Sequence, residues 1–175
     1  QLQTNFADVP VAMFVALGVA SLAAWLRTPA PGLLPAAALF LGAGALTKNE
    51  GEMFALVAYL TAAAVAGRDR LRPLALAALA SFAIDLPWRI WIKVNDIRIA
   101  EYSISNLLDP HYLADHSDRV GPSARELVYQ LTRLGAFSYV VIFVLVGIAG
   151  ALVLRRFRLA LFAAGWLLLS FGGLL

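Results

Sequence analysis

Six polar residues stand in strongly apolar surroundings: Asp8, Lys48, Asn49, Glu50, Asp85 and Arg89. A carboxylate so placed can take a proton from an acceptor, orient that acceptor or bind a metal. A lysine or arginine there can meet an anion and stabilise charge developing on a phosphate leaving group. Each also has an architectural reading. Asp8, in Phe6-Ala7-Asp8-Val9-Pro10, fits a helix cap with a proline tolerated in the first turn. Thr47 with Glu50, and Asn49 with Glu52, have capping-box spacing. Lys48 follows directly on an apolar run, so it either snorkels or contacts an anionic group such as a lipid phosphate. Asp85 and Arg89 are four apart, so on a helix they face each other, with Pro87 between them as a source of distortion. They form either a buried ion pair that fixes packing or part of a polar path.

The elements that must position these residues are apolar helices. Of the 175 residues 61% are hydrophobic and 14% charged, against about 25% charge in a soluble domain. The mean hydropathy is +0.78. Six segments read as membrane spans: 9–26, 33–47, 52–66, 71–92, 136–154 and 157–175. The second and third are short for a hydrocarbon core of about 30 Å at about 1.5 Å per residue. The fold class is therefore all-α, a polytopic transmembrane bundle with an external stretch at 93–135. The chain reaches an apolar run a few residues after Gln1 and stops at Leu175 inside another. It shows no signal peptide with a basic head and reads as an internal piece of one transmembrane domain, truncated at both ends.

Orientation follows from the basic residues in short loops. Arg27, Arg68, Arg70, Arg72, Arg155, Arg156 and Arg158 fall on one side, with Asp69 as the one acid. The other seven basic and ten acidic residues fall on the opposite, extracytoplasmic side. The pI near 9.6 thus reflects loop arginines, not a nucleic-acid surface. The absence of cysteine excludes disulfides and thiolate metal sites.

The 93–135 stretch predicts short helices. Asp109-Pro110 reads as an N-cap and first helical residue. Gly121-Pro122-Ser123 reads as a break, followed by a capping box from Ser123 to Glu126. Leu127, Leu131 and Leu134 then give an amphipathic helix, with Arg125 and Arg133 elsewhere on it. It lies on the membrane surface or covers apolar protein surface. His111 and His116, near Asp109, Asp115 and Asp118, have a spacing that metal sites use. Nothing upstream completes a metal pattern, so a solvated face is the better reading.

Three motifs carry a family resemblance. Phe6-Ala7-Asp8-Val9-Pro10-Val11-Ala12 resembles the head of a span in the polytopic GT-C glycosyltransferases, among them the protein O-mannosyltransferase-like and aminoarabinose-transferase-like groups. The Gly/Ala-rich run Leu41-Gly42-Ala43-Gly44-Ala45-Leu46-Thr47-Lys48-Asn49-Glu50-Gly51 resembles a second signature ending in Thr-Lys. Leu86-Pro87-Trp88-Arg89 is similar to a later span end in bacterial members. The resemblance implies a bacterial plasma-membrane enzyme that moves a sugar from a polyprenyl-phosphate carrier to a protein, lipid or glycan acceptor outside the cytoplasm. It implies that Asp8 is a second external acid, positioning the acceptor or a metal, and that Lys48 faces the donor phosphate. Arg89 is a further phosphate candidate on charge and depth, with Asn49, Glu50 and Asp85 in support. Glu50 departs from a glycine found in some relatives, and it either caps a helix or pairs with Lys48. The family's principal acidic motif, in the first external loop, is absent from this sequence and is expected upstream. No cofactor is required by these motifs, and a divalent metal is left open. The competing readings are a transporter, with Asp85 and Arg89 lining a substrate path, and a non-catalytic membrane protein. Matched halves, the transporter signature, are missing.

Overall fold

The computed structural model describes residues 8–97, 109–115, 117–133 and 138–173. Every element among them is helical. The helices are α1 (Asp8–Arg27), α2 (Leu33–Thr47), α3 (Asn49–Val65), a 3₁₀ turn (Arg68–Arg70), α4 (Leu71–Val94), α5 (Pro110–Asp115), α6 (Ser117–Thr132), α7 (Ser138–Val153) and α8 (Phe157–Gly173). All six apolar segments form helices, with limits within a few residues of those expected. Among the described residues two helical segments are long and apolar enough by themselves to cross a membrane: Asp8–Arg27 with 20 residues and Arg68–Val94 with 27. Leu33–Thr47, Val141–Val153 and Phe157–Gly172 are apolar but shorter. The chain divides into two compact units, Gln1–Tyr102 and Ser103–Leu175.

In the first unit α2 is the central helix, packed against α1, α3 and α4. Its Gly/Ala-rich sequence explains that place, because small residues let helix backbones approach closely. A Cβ on Gly42 would lie 2.8 Å from the Ser81 carbonyl oxygen on α4, and one on Gly18 of α1 would lie 2.5 Å from the Leu41 side chain. Leu22, Ala37, Leu41, Ala55, Ala58 and Ala62 are fully buried in this contact. A small polar network ties three helices together. The Tyr59 and Ser81 hydroxyls are 2.7 Å apart, and Ser81 Oγ donates to the Ala38 carbonyl at 3.0 Å. Such buried hydroxyls need partners, and here they supply one another.

The turn between α2 and α3 is tighter than the sequence suggests. Lys48 alone separates the helices, in extended conformation (φ −160°, ψ 147°), and closes α2 while opening α3. Its N–H bonds the Gly44 carbonyl at 3.3 Å and its carbonyl accepts from Gly51 N–H at 2.9 Å. A Cβ on Gly51 would collide with the Gly44 carbonyl, so only glycine permits this fold-back. Neither expected capping box forms. Thr47 Oγ1 bonds the Ala43 carbonyl instead, and α3 has no side-chain cap. The short turn also starts α3 at Asn49 instead of near Glu52.

The four helices α1 to α4 run alternately up and down. Asp8, Lys48 and the 85–89 segment therefore share one end of the bundle, as their direct contacts require. The opposite end holds Arg27 and the Arg68–Arg72 stretch, where Arg70 Nη1 donates to the Leu26 carbonyl at 3.0 Å.

In the second unit Asp109 caps α5 as expected, accepting from the backbone N–H of His111 at 2.9 Å. The break expected at Gly121-Pro122-Ser123 is absent: α6 runs through it with Pro122 inside. Pro122 sits in the second turn, where its missing N–H costs only the bond to the Asp118 carbonyl. Ser123 is thus interior to the helix and cannot cap it, and Glu126 accepts from Gln130 Nε2 at 2.7 Å. Leu127 and Leu131 share a half-buried face of α6 while Arg125 and Arg133 are exposed. Leu134 and His116 lie outside the described residues. Helix α6 packs against α7, and α7 against α8.

Candidate functional site

Two ionic clusters form at the acid-bearing end of the α1–α4 bundle. In the first, Lys48 Nζ lies 2.8 Å from Asp8 Oδ1 and 3.2 Å from Glu50 Oε1. The contact spans 40 residues of sequence and joins the head of α1 to the α2–α3 turn. Asp8 is in the first turn of α1, yet its carboxylate is directed to Lys48. The hydrogen bond to Asp8 raises the Lys48 pKa above the ordinary lysine value, partial burial opposes this, and Glu50 adds to the rise. Lys48 is thus a firmly protonated ammonium at neutral pH. Of its three N–H donors, two face carboxylates.

In the second cluster Arg89 Nε bonds Asp85 Oδ2 at 2.6 Å, the i,i+4 pair expected, and Arg89 Nη2 bonds Glu52 Oε2 at 2.6 Å. Pro87 does not break α4, which continues to Val94. Asp85 is 2% exposed, and its Oδ1 has no hydrogen-bond partner among the described residues. The Arg89–Glu52 bond locks α3 to α4 across 37 residues. Trp88 and Trp91 stack on the exposed side of α4 with ring centroids 5.1 Å apart.

The geometry brings together Asp8, Lys48 and Glu50, and separately Asp85 and Arg89. Asn49 begins α3 but brings no side-chain hydrogen bond to either cluster among the described residues. Glu52 is the residue that sequence reasoning undervalued. It looked like the far half of a capping box, whereas it is a partner of Arg89. The available signal was its depth, which matches that of Arg89 at the same end of the bundle.

Each cluster is one cation between two carboxylates, with a formal charge of −1. That differs from the free basic side chains expected for phosphate. Among the described residues no three His, Asp or Glu side chains gather as metal ligands. Asp8, Glu50, Glu52 and Asp85 each direct a carboxylate oxygen to a cation. His111 is exposed at the start of α5. No protein-family model, curated protein or solved structure matches the chain.

Proposed function

We propose that this chain is part of a polytopic membrane glycosyltransferase of GT-C type. It moves a sugar from a polyprenyl-phosphate carrier to an acceptor on the extracytoplasmic face. The observation that carries this reading is the separation of charge along the α1–α4 bundle. Asp8, Lys48, Glu50, Glu52, Asp85 and Arg89 meet at one end, and clustered arginine occupies the other.

The membrane placement draws on exposed apolar surface. Leu39, Leu60, Leu76 and Leu79 point outward on α2, α3 and α4, and Phe143 and Leu168 do so in the second unit. Soluble proteins rarely expose apolar patches beyond a few hundred Å². On this reading α1, α2, α3, α4, α7 and α8 are six crossings. The shorter ones are accommodated by local bilayer thinning, which costs only fractions of a kcal/mol per Å.

Transfer joins an acceptor oxygen to the anomeric carbon of the sugar. The bond from that carbon to the carrier phosphate breaks, and the phosphate keeps the electron pair. Lys48 turns an N–H from Asp8 to a phosphate oxygen and stabilises the charge that develops there. As Lys48 turns to phosphate, Asp8 loses its partner and becomes available to orient the acceptor and assist removal of its proton. Arg89 keeps further N–H donors beyond those used by Asp85 and Glu52 and supports the phosphate from α4. Lys48→Ala is expected to cut transfer from polyprenyl-phosphate sugars at least about tenfold, equivalent to about 1.4 kcal/mol in the transition state. Unchanged transfer in a membrane assay removes Lys48 from the site.

One observation favours a transporter instead: Asp85, almost fully buried in the bundle with an unpartnered oxygen, is the kind of group that lines an ion path. Solute flux into proteoliposomes without sugar transfer would establish that reading.

A further inference from the structure

The arginine-bearing end of the first unit carries an open groove of about 430 Å³ whose walls include Trp25, Pro29, Pro31, Leu34 and Pro35. Three features make it a preformed site. The prolines fix the backbone of the α1–α2 connection, and Gly32, at φ 92°, turns the chain into α2. Trp25 is nearly buried and forms a firm apolar wall. Arg70 lies over the Trp25 ring, 5.7 Å from its centroid, while Nη1 is held by the Leu26 carbonyl at 3.0 Å. This guanidinium is therefore fixed beside the groove, with donors left over. Arg27, exposed, lies in the chain between Trp25 and Pro29, and exposed Arg68 and Arg72 flank Arg70. Asp69, the acid next to Arg70 in the chain, is exposed and reaches it only at 4.0 Å.

Apolar walls beside the fixed Arg70, with Arg27 two residues on from Trp25 in the chain, complement one kind of occupant: an amphiphile with an apolar body and an anionic phosphate. We infer that this groove binds the headgroup of an anionic phospholipid from the surrounding leaflet. The phosphate lies between Arg27 and Arg70, which suit phosphate through their planar fork of donors, and the glycerol and upper chains lie along Trp25 and the prolines. The site is at the end of the bundle away from Lys48, so it is separate from the proposed transfer chemistry and shares with it only the membrane setting. It anchors the α1–α2 connection to one leaflet.

The test is native mass spectrometry of the full chain in detergent micelles, titrated with phosphatidylglycerol, phosphatidylcholine or inorganic phosphate. One phosphatidylglycerol adduct is expected to survive at concentrations where phosphatidylcholine does not. Arg27→Gln and Arg70→Gln should each weaken it by about fivefold, the usual contribution of one basic residue at an anionic membrane surface. Lys48→Ala and Arg155→Gln should leave it at the wild-type level. Equal retention of phosphatidylcholine overturns the proposal, as does full retention in Arg27→Gln, a change at an exposed side chain that leaves the fold intact. Displacement of the lipid by millimolar inorganic phosphate would mean that the groove serves free phosphate, and would also overturn it. Loss of the adduct in Lys48→Ala would place binding at the wrong end. None of these readouts depends on sugar transfer, so failure of the transferase reading leaves the result interpretable.

Discussion

The Lys48 and Arg89 clusters have the same recipe, one cation between two carboxylates, and differ in burial. The side chains of Lys48, Asp8 and Glu50 are 38%, 49% and 36% exposed, whereas those of Arg89, Glu52 and Asp85 are 33%, 24% and 3% exposed. The cause is position. Lys48 occupies the single-residue turn between α2 and α3, while Asp85 is buried within α4, one helical turn before Arg89. Exposed ion pairs contribute about 0–1 kcal/mol because water competes for both partners. A buried carboxylate left without its cation is strongly destabilising. Equal charge composition therefore supports different roles: the Lys48 cluster can exchange partners with a ligand, and the Arg89 cluster holds the helices that present it.

The largest effect should come from the buried side of this contrast. Arg89→Leu strands Asp85 and Glu52 and is expected to destabilise the protein by about 3–5 kcal/mol. The double variant Arg89→Leu/Asp85→Leu should recover part of that loss, since the stranded charge goes with its partner. Thermal unfolding in detergent measures both. A loss below about 1 kcal/mol for the single variant would erase the distinction between the clusters.

Next in size is the turn that sets Lys48 in place. Gly51→Ala puts a methyl group against the Gly44 carbonyl, where backbone must shift because no flexible side chain can yield. Overpacking of this kind costs about 1–3 kcal/mol. The change should also loosen the Lys48–Asp8 contact, so transfer should fall along with stability. Retention of both would mean that the α2–α3 junction does not position the site.

The helices were readable because apolar runs broken by arginine, glycine and proline leave few alternatives. The i,i+4 pair of Asp85 and Arg89 was readable for the same reason, as helical spacing alone brings the two together. The long-range contacts were not. Glu52 meets Arg89 only because a one-residue turn sends α3 back beside α4, and local sequence favours a capping box there. The Lys48–Asp8 and Arg89–Glu52 contacts carry no local mark, since those partners are 40 and 37 residues apart. Pro122 misled in the other direction: a breaker inside a helix is tolerated in an early turn, and sequence alone did not place Ser117 as the start.

A smaller effect is expected on the exposed side. Lys48→Ala should change stability by less than about 1 kcal/mol while transfer falls at least about tenfold. That split between stability and activity is the signature of a side chain held for a ligand. If unfolding shifts as much as for Arg89→Leu, Lys48 is structural and the two clusters are equivalent.

The smallest effect is a pH dependence confined to alkaline solution. The folded protein raises the Lys48 pKa, chiefly through Asp8. Protonation therefore favours the folded state, and the contribution is complete below the unfolded lysine value near 10.5. It is lost as pH rises through the folded value, because the neutral amine no longer attracts the two carboxylates. The quantity to follow is the difference in melting temperature between wild type and Lys48→Gln, which cancels the other groups that titrate in this range. That difference should be small and flat from pH 7 to about 10, within the exposed-pair range, and should close above it. A gap that persists once Lys48 is neutral would show that the side chain stabilises the turn by packing its methylene stem against the bundle, and not by charge. The exposed cluster would then have no electrostatic claim on a phosphate, and the contrast with Arg89 would rest on burial alone.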